Sequence, residues 1–383
     1  MLIYLPISNT HYGGASFGSV NYFGYNMRWF FSIVMALGLS SANATEFKPA
    51  AGQQIILQAE LPETADMQQL RQALMYQRDS TATLPLAQLY LIGARQPGYD
   101  DWFHQAEQLL RNVDDAARQG LEYWLLLADV QQQQHQFAAA LLSLEQVFAL
   151  QPRHIQASLM AARVYLALHQ LEPAQQACSR IWQQDLFLFS VCSYEVAGRR
   201  GDWQQSYVAL QQLWQRQSSL PPAIDIWLRG ILAEQAEQLG LFETAQQWLS
   251  PVLAQAPTSL WLKWADLSLL LGQADAVYQS ITAIPQRQNI ADSLLLRLAM
   301  AEQQLAKPAQ FGKQLGERMQ LRLARGDTDH AADLALYFLH FVPDPAAAVH
   351  WAELNYQRAK EPDDVRLLTL SQQAQQQSLG SSE

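Results

Sequence analysis

The stretch "WLLLADVQQQQHQFAAALLSLEQVFALQP", Trp124 to Pro152, decides the fold. Apolar residues recur at helical spacing from Tyr123 to Val130 and again from Phe137 to Leu150. His135-Gln136 interrupts the two runs, and Pro152 stops the second. The spacing predicts helix, tight turn, helix. Ala128 and Ala140 are small where two helices have to approach closely. Trp124, Leu127, Phe137 and Leu144 are expected to fill the space between them.

The pattern returns 34 residues later: Ala128 maps to Ala162, His135 to His169, Phe137 to Leu171, Ala140 to Ala174 and Leu144 to Cys178. A third unit, "FLFSVCSYEVAGRRGDWQQSYVALQQLW", has Gly201 at the turn and Ser206 in the small position. After the loop "RQSSLPPAID", a fourth places Ala233, Gly240, Phe242, Ala245, Leu249, Val252 and Pro257 at the offsets of Ala128 through Pro152. A fifth carries Trp261, Trp264, Ala265 and Gly272.

A unit near 34 residues with Trp, Leu-Gly/Ala, Tyr, Ala, Phe and Pro at these offsets resembles the tetratricopeptide repeat. The resemblance is strongest at 121–154 and 226–257, fair at 155–186 and 258–285 and weakest at 187–217. It implies an all-α helical-hairpin repeat solenoid, a tetratricopeptide-like right-handed superhelix, with the first helix of each pair on the concave side. It implies a binding scaffold and no particular reaction. The physics agrees: one helix pair cannot bury its own apolar face, so pairs must stack. The core repeats are expected over 121–285, flanked by degenerate repeats at 45–120 and 286–371, with a flexible Gln/Ser-rich tail at 372–383. Pro362 is expected to close the last repeat helix.

The start of the chain reads differently. In "MRWFFSIVMALGLSSANATEF", Arg28 precedes an eleven-residue apolar run, Trp29 to Leu39, and Ala42-Asn43-Ala44 fits a small-x-small cleavage site. Residues 27–44 are therefore expected to be a signal peptide cut near Ala44, too short to span a bilayer, which takes about 20 residues. Residues 1–26 read as an upstream extension ahead of a true start at Met27. The expected location is periplasmic or secreted, with no transmembrane anchor in the mature chain.

Export bears on Cys178 and Cys192, the two cysteines of the chain, which lie 14 residues apart. An oxidising compartment allows them to pair. The alternative is two small buried thiols that fill helix contacts.

Of 383 residues, 49% are apolar and 16% charged, which argues for a large folded body. The net charge of −10 and the absence of a Lys/Arg block argue against nucleic acid as a partner. No G-x-S-x-G, H-E-x-x-H, C-x-x-C or phosphate-cradling glycine loop occurs, so no enzymatic activity and no cofactor is expected. His104, His135, His154 and His169 fall near turns or helix ends, which suits capping better than ligation. "RGDTDH", Arg325 to His330, is a compact polar cluster, read as a helix stop at Gly326 with Asp327 or Thr328 capping the next helix rather than as a metal site.

The residue after each small first-helix position is Asp129, Arg163, Glu195, Glu234 and Asp266. Met300 occupies the position in the sixth unit, where the row is expected to stop. Glu122, Gln132, Leu125, Leu159, Glu237, Trp227 and Leu262 are expected as neighbouring groove positions. A mostly acidic row with apolar patches suits a basic or neutral extended peptide, or a helix laid in the groove. A free C-terminal carboxylate is expected to bind poorly there. The alternative is a set of solvated positions, with Arg163 paired to a neighbouring carboxylate. The expected role is a scaffold for a protein or peptide of the cell envelope. A structural subunit or assembly chaperone of an envelope complex stands behind it, and an accessory to a cell-wall enzyme further behind.

Overall fold

The computed structural model describes residues 61–380. The upstream extension, the signal peptide and residues 45–60 lie outside the described residues. The described chain is an array of eighteen α-helices with no strand among them. A short α1 (Ala65–Gln72) precedes eight hairpins. These are α2 (Thr83–Gly93) with α3 (Trp102–Arg111), α4 (Leu121–Gln133) with α5 (Phe137–Leu150), and α6 (Ile155–Ala167) with α7 (Leu171–Ser179). Next come α8 (Leu186–Arg199) with α9 (Trp203–Gln215), α10 (Pro222–Gln238) with α11 (Phe242–Leu249), and α12 (Thr258–Leu270) with α13 (Ala274–Thr282). The last are α14 (Asp292–Gln304) with α15 (Gln310–Arg325) and α16 (Ala331–His340) with α17 (Pro345–Arg358), followed by α18 (Pro362–Gly380). The array is the helical-hairpin repeat solenoid expected from the sequence.

The small positions allow the close approach of helices. Ala128, Ala233 and Ala265 on first helices and Ala140, Ala174 and Ala245 on second helices have no exposed surface. Leu144 and Phe137 fill the space between them, as expected. Trp124 and Leu127 are only half-buried, and Leu125 and Leu126 take the deep positions. Leu125 and Leu159 are thus core residues, not groove residues. Helix rotation decides this: both must fill the seam to the neighbouring hairpin, where burying a Leu is worth about 1.5–3 kcal/mol.

The six hairpins from α4–α5 to α14–α15 turn through a left-handed residue. His135 and His169 both have φ of 56°, and Gly201, Gly240 and Gly272 are also positive at the equivalent place, as is Ala306. At each turn the amide after this residue bonds back to a carbonyl in the last turn of the first helix. Gln136 N donates to Gln131 O at 2.8 Å, Gln170 N to Tyr165 O at 2.7 Å and Leu241 N to Ala236 O at 2.9 Å. This closes orphan carbonyls at the end of each first helix.

Three local features differ from the sequence reading. Pro362 opens α18 rather than closing a helix, since the missing N–H costs nothing at a first helical position. Residues 372–380, assigned by composition to the tail, continue α18. Gly326 does end α15 in a left-handed conformation, but the Asp327 carboxylate accepts from Asp329 N within the turn instead of capping α16.

The coil is tight enough for distant hairpins to meet. Thr258 N donates to Arg95 O at 2.8 Å, and Gly98, at φ +89°, lies so close to Gln286 that a Cβ would collide with it. At the other end, Lys360 N donates to Ala167 O at 2.7 Å. Cys178 on α7 and Cys192 on α8 form a disulfide that joins successive hairpins, with Cα atoms 5.6 Å apart.

Candidate functional site

The first helices carry a ladder of ion pairs between successive hairpins, interrupted between α4 and α6. Arg95, just past α2, holds Asp129 of α4 at 2.6 Å. Arg163 of α6 reaches Glu195 of α8 at 3.1 Å. Arg199 of α8 reaches Glu234 of α10 at 2.7 Å. Lys263 of α12 donates to Glu237 of α10. Arg297 of α14 holds Asp266 of α12 at 2.8 Å and lies 3.8 Å from Asp333 of α16. Glu195 and Arg199, like Glu234 and Glu237 or Lys263 and Asp266, sit about one turn apart, so one residue pairs backward and the other forward.

Each residue of the sequence-predicted row is therefore engaged within the chain, as are Glu237 and Trp227. Asp129, Glu195 and Glu237 are buried, and Trp227, 4% exposed, belongs to the hydrophobic core. The five-residue row does lie on successive first helices, but its acids are paired with Arg95, Arg163, Arg199 and Arg297, of which Arg199 and Arg297 stand off the row position and are overlooked when one position is read per repeat. The row itself ends at Met300, and Arg297, one turn earlier on the same helix, carries the ion pairs on to Asp333 of α16. The signal that would have found Arg199, Lys263 and Arg297 is a cation three or four residues from the row position on the same helix, whereas Arg95 lies one repeat of 34 residues before Asp129.

The wall is concave, and the chain's own segment "AKEPDDVR", Ala359 to Arg366, lies in it. Ala359 is buried against Phe137, Ala140, Val164 and Ala167. Glu361 Oε1 accepts from Arg163 Nη2 at 2.6 Å and lies 3.9 Å from Arg199. Asp363 is 3.0 Å from Lys263 Nζ, and Arg366 donates to Glu237. Eight residues touch α6, α8, α10 and α12, which requires those four helices to curve around them.

The electrostatics follow. Burial works against the Arg163 charge, but Glu361 and Glu195 outweigh it and raise its pKa above the ordinary guanidinium value. Lys263 is raised in the same way by Asp363 and Glu237. Burial also opposes ionisation of Glu361, yet Arg163 and Arg199 bring its pKa down to about 2. The wall thus holds two side-chain carboxylates of the chain itself, because Arg163 in the row, and Arg199 and Lys263 one turn from it, face the segment.

Elsewhere the chemistry is sparse. Among the described residues no group of three or more His, Cys, Asp or Glu is arranged to hold a metal ion. In the "RGDTDH" turn, Asp327 pairs with Arg322 and Asp329 with Arg358. His154 caps α6 by accepting from Ala157 N at 3.1 Å. A cleft of about 150 Å³ between α3 and α4, lined by Leu110, Tyr123, Leu127 and Gln131, is smaller than an ordinary ligand site. No described helix is long and apolar enough to cross a membrane.

Residues 131–186, the second helix of one hairpin through the whole of the next, match the family model of the tetratricopeptide repeat. The chain carries a tetratricopeptide-repeat segment. Among solved structures it is similar to a tetratricopeptide-repeat protein from Parabacteroides merdae, at 12% identity and a TM-score of 0.44, over 61% of this chain and 90% of that one. It is also similar to a thermophilic tetratricopeptide-repeat protein from Thermus thermophilus, at 20% identity and a TM-score of 0.40, over 50% of this chain and 99% of that one. A third similar structure is PilW, a type IV pilus biogenesis factor, at 14% identity and a TM-score of 0.37, over 56% of this chain and 96% of that one. No curated protein matches the chain in sequence.

Proposed function

We propose that the protein is a periplasmic scaffold of the tetratricopeptide-repeat type, which binds a protein or peptide of the cell envelope through the concave wall of its first helices and catalyses nothing. One observation carries the reading: the wall already receives a peptide segment, Ala359 to Arg366, through a small apolar pocket, a backbone hydrogen bond and carboxylate–cation pairs. A surface with that combination is built to hold extended chain. The signal-peptide pattern at 27–44 supports export, and the disulfide between Cys178 and Cys192 suits an oxidising compartment.

The test is site-specific photocrosslinking in periplasm. A photoreactive residue at Leu262, half-buried and one turn before Asp266, is expected to trap a partner. The same residue at Leu142, exposed on second helix α5, is expected to trap none. Partner adducts from Leu142 alone would move the binding surface off the concave wall.

A further inference from the structure

Residues 359–363 are held the way a bound peptide is held. Ala359 is extended, at φ −134° and ψ 147°, and puts its methyl into the pocket between α5 and α6. Lys360 N then satisfies Ala167 O, a carbonyl left open at the end of α6. Glu361 meets Arg163 and Arg199, and Asp363 meets Lys263. The pattern read by the wall is a small apolar residue, a carboxylate two positions on and a second carboxylate two positions after that.

The helix behind this segment is weakly anchored. Two of the nineteen residues of α18, Leu367 and Ser371, are buried. In α12, seven of thirteen are buried. The apolar cluster beneath α18 consists of Ala335, Ala352 and Leu367 with partly buried neighbours. Elements with so little apolar burial open locally without global unfolding. The charged clasp is thus an anchor of α18 beside this small apolar cluster, and it is the part of the contact that a competing acidic chain reproduces.

We infer that Arg163, Arg199 and Lys263 form a receptor for an acidic segment of a partner protein, of the form small-x-acid-x-acid, and that residues 359–363 occupy it in the resting molecule as an intramolecular competitor. This rests on the concave-wall reading above and adds the partner's chemistry and a self-blocked state. A tethered competitor at high effective concentration lowers apparent affinity by the fraction of time the site is free. The partner gains access when α18 peels from α16 and α17.

The test uses the full chain and a fluorescein-labelled peptide of residues 358–371, followed by anisotropy. The full chain with Glu361→Gln and Asp363→Asn is expected to bind the peptide at least about tenfold more tightly than the wild type, because its own clasp is weakened. The same two changes placed in the peptide are expected to abolish binding. So is Lys263→Gln in the clasp-weakened chain. Equal affinity of wild type and variant, or binding indifferent to Lys263, would overturn the proposal. Native-state hydrogen exchange of the wild type gives a reading that needs no variant. Amides of 365–371 are expected to exchange by local opening, about a hundredfold faster than those of α8. Exchange of both at the same global rate would also overturn it. A partner that crosslinks at Leu262 while the labelled peptide fails to bind would leave the concave wall in place and remove the acidic-segment receptor alone.

Discussion

Arg95 donates from one guanidinium nitrogen to both carboxylate oxygens of Asp129, each at 2.6 Å, across a separation of 34 residues. The repeat period is written into an ion pair, and the pair is a rung between two hairpins. Asp129 is 1% exposed, so removing the cation strands a buried charge. Arg95→Met is expected to destabilise the chain by about 3–5 kcal/mol. Arg95→Met combined with Asp129→Leu is expected to recover most of that, because an apolar pair avoids desolvation and Arg95 Nε has no partner to lose. Urea denaturation of the three proteins checks it. A single variant that costs under about 1 kcal/mol would show that the rung is solvated in solution.

The turn between α14 and α15 has the wrong residue for its backbone. Ala306 has φ of 50°, in the region where Gly240 and Gly272 stand in other hairpins, and its surface is exposed. A Cβ there costs about 1–2 kcal/mol. Ala306→Gly is expected to stabilise the protein by about 1 kcal/mol, less the entropy glycine adds to the unfolded chain. Gly240→Ala is expected to move stability the other way by a similar amount. Thermal melts of both variants separate the signs, and an Ala306→Gly chain no more stable than wild type would mean the turn relaxes out of the left-handed region.

Glu302 of α14 performs a cap from outside the helix it caps. Its Oε1 accepts from Gln310 N at 2.9 Å and Phe311 N at 3.1 Å, and its Oε2 from Gly312 N at 2.9 Å. Three orphan amides at the start of α15 and the helix dipole are satisfied by one buried carboxylate. Glu302→Gln turns an amino group toward donors and is expected to cost about 2 kcal/mol. Amide exchange at residues 310–312 is expected to rise with it. Unchanged protection there would mean that water replaces the carboxylate.

The hairpins were legible because their determinants are local. Ala128, Ala140, His135 and Gly240 declare close approach and a left-handed turn within a dozen residues of one another in each unit, and the shift of 34 repeats them. The partners of the charged row were not. Asp129, Glu234 and Asp266 were visible as a row, but Arg199 and Arg297 stand one turn from the equivalent position and drop out when one position is read per repeat. Glu361 was out of reach altogether: it meets Arg163 across 198 residues, and that distance is closed by the curvature of the stack, which no local pattern encodes. Sequence composition also misjudged α18, whose polar residues are helical because Pro362 and the acids of its first turn start the helix well.

The clasp at the start of α18 is expected to be tightest in a pH window. Burial opposes ionisation of Glu361 and Asp363, but Arg163 and Arg199 on the first, and Lys263 and Arg366 on the second, bring both to about 2. Their contribution is full above the ordinary carboxylate range and is lost as pH falls toward about 2. Asp364 is the opposite case. Burial first, and the Glu361 charge second, raise it to about 7, against acceptance of hydrogen bonds from Glu361 N and Asn355. Its penalty is absent below its ordinary value of 3.8 and complete above about 7. Arg163, Lys263 and Arg366 are all raised and stay charged throughout. His135, lowered by burial despite Glu361, gains charge only on the acidic side of neutrality. Opening of α18, measured by hydrogen exchange corrected for intrinsic rates, is therefore expected to be rarest near pH 4, to increase as pH falls toward about 2, to increase again between about pH 4 and 7, and to stay level above about 7. Asp364→Asn is expected to remove the increase between about pH 4 and 7 and leave the acidic one. An increase between about pH 4 and 7 that survives Asp364→Asn would assign it to another group and break the link between this carboxyl and the clasp.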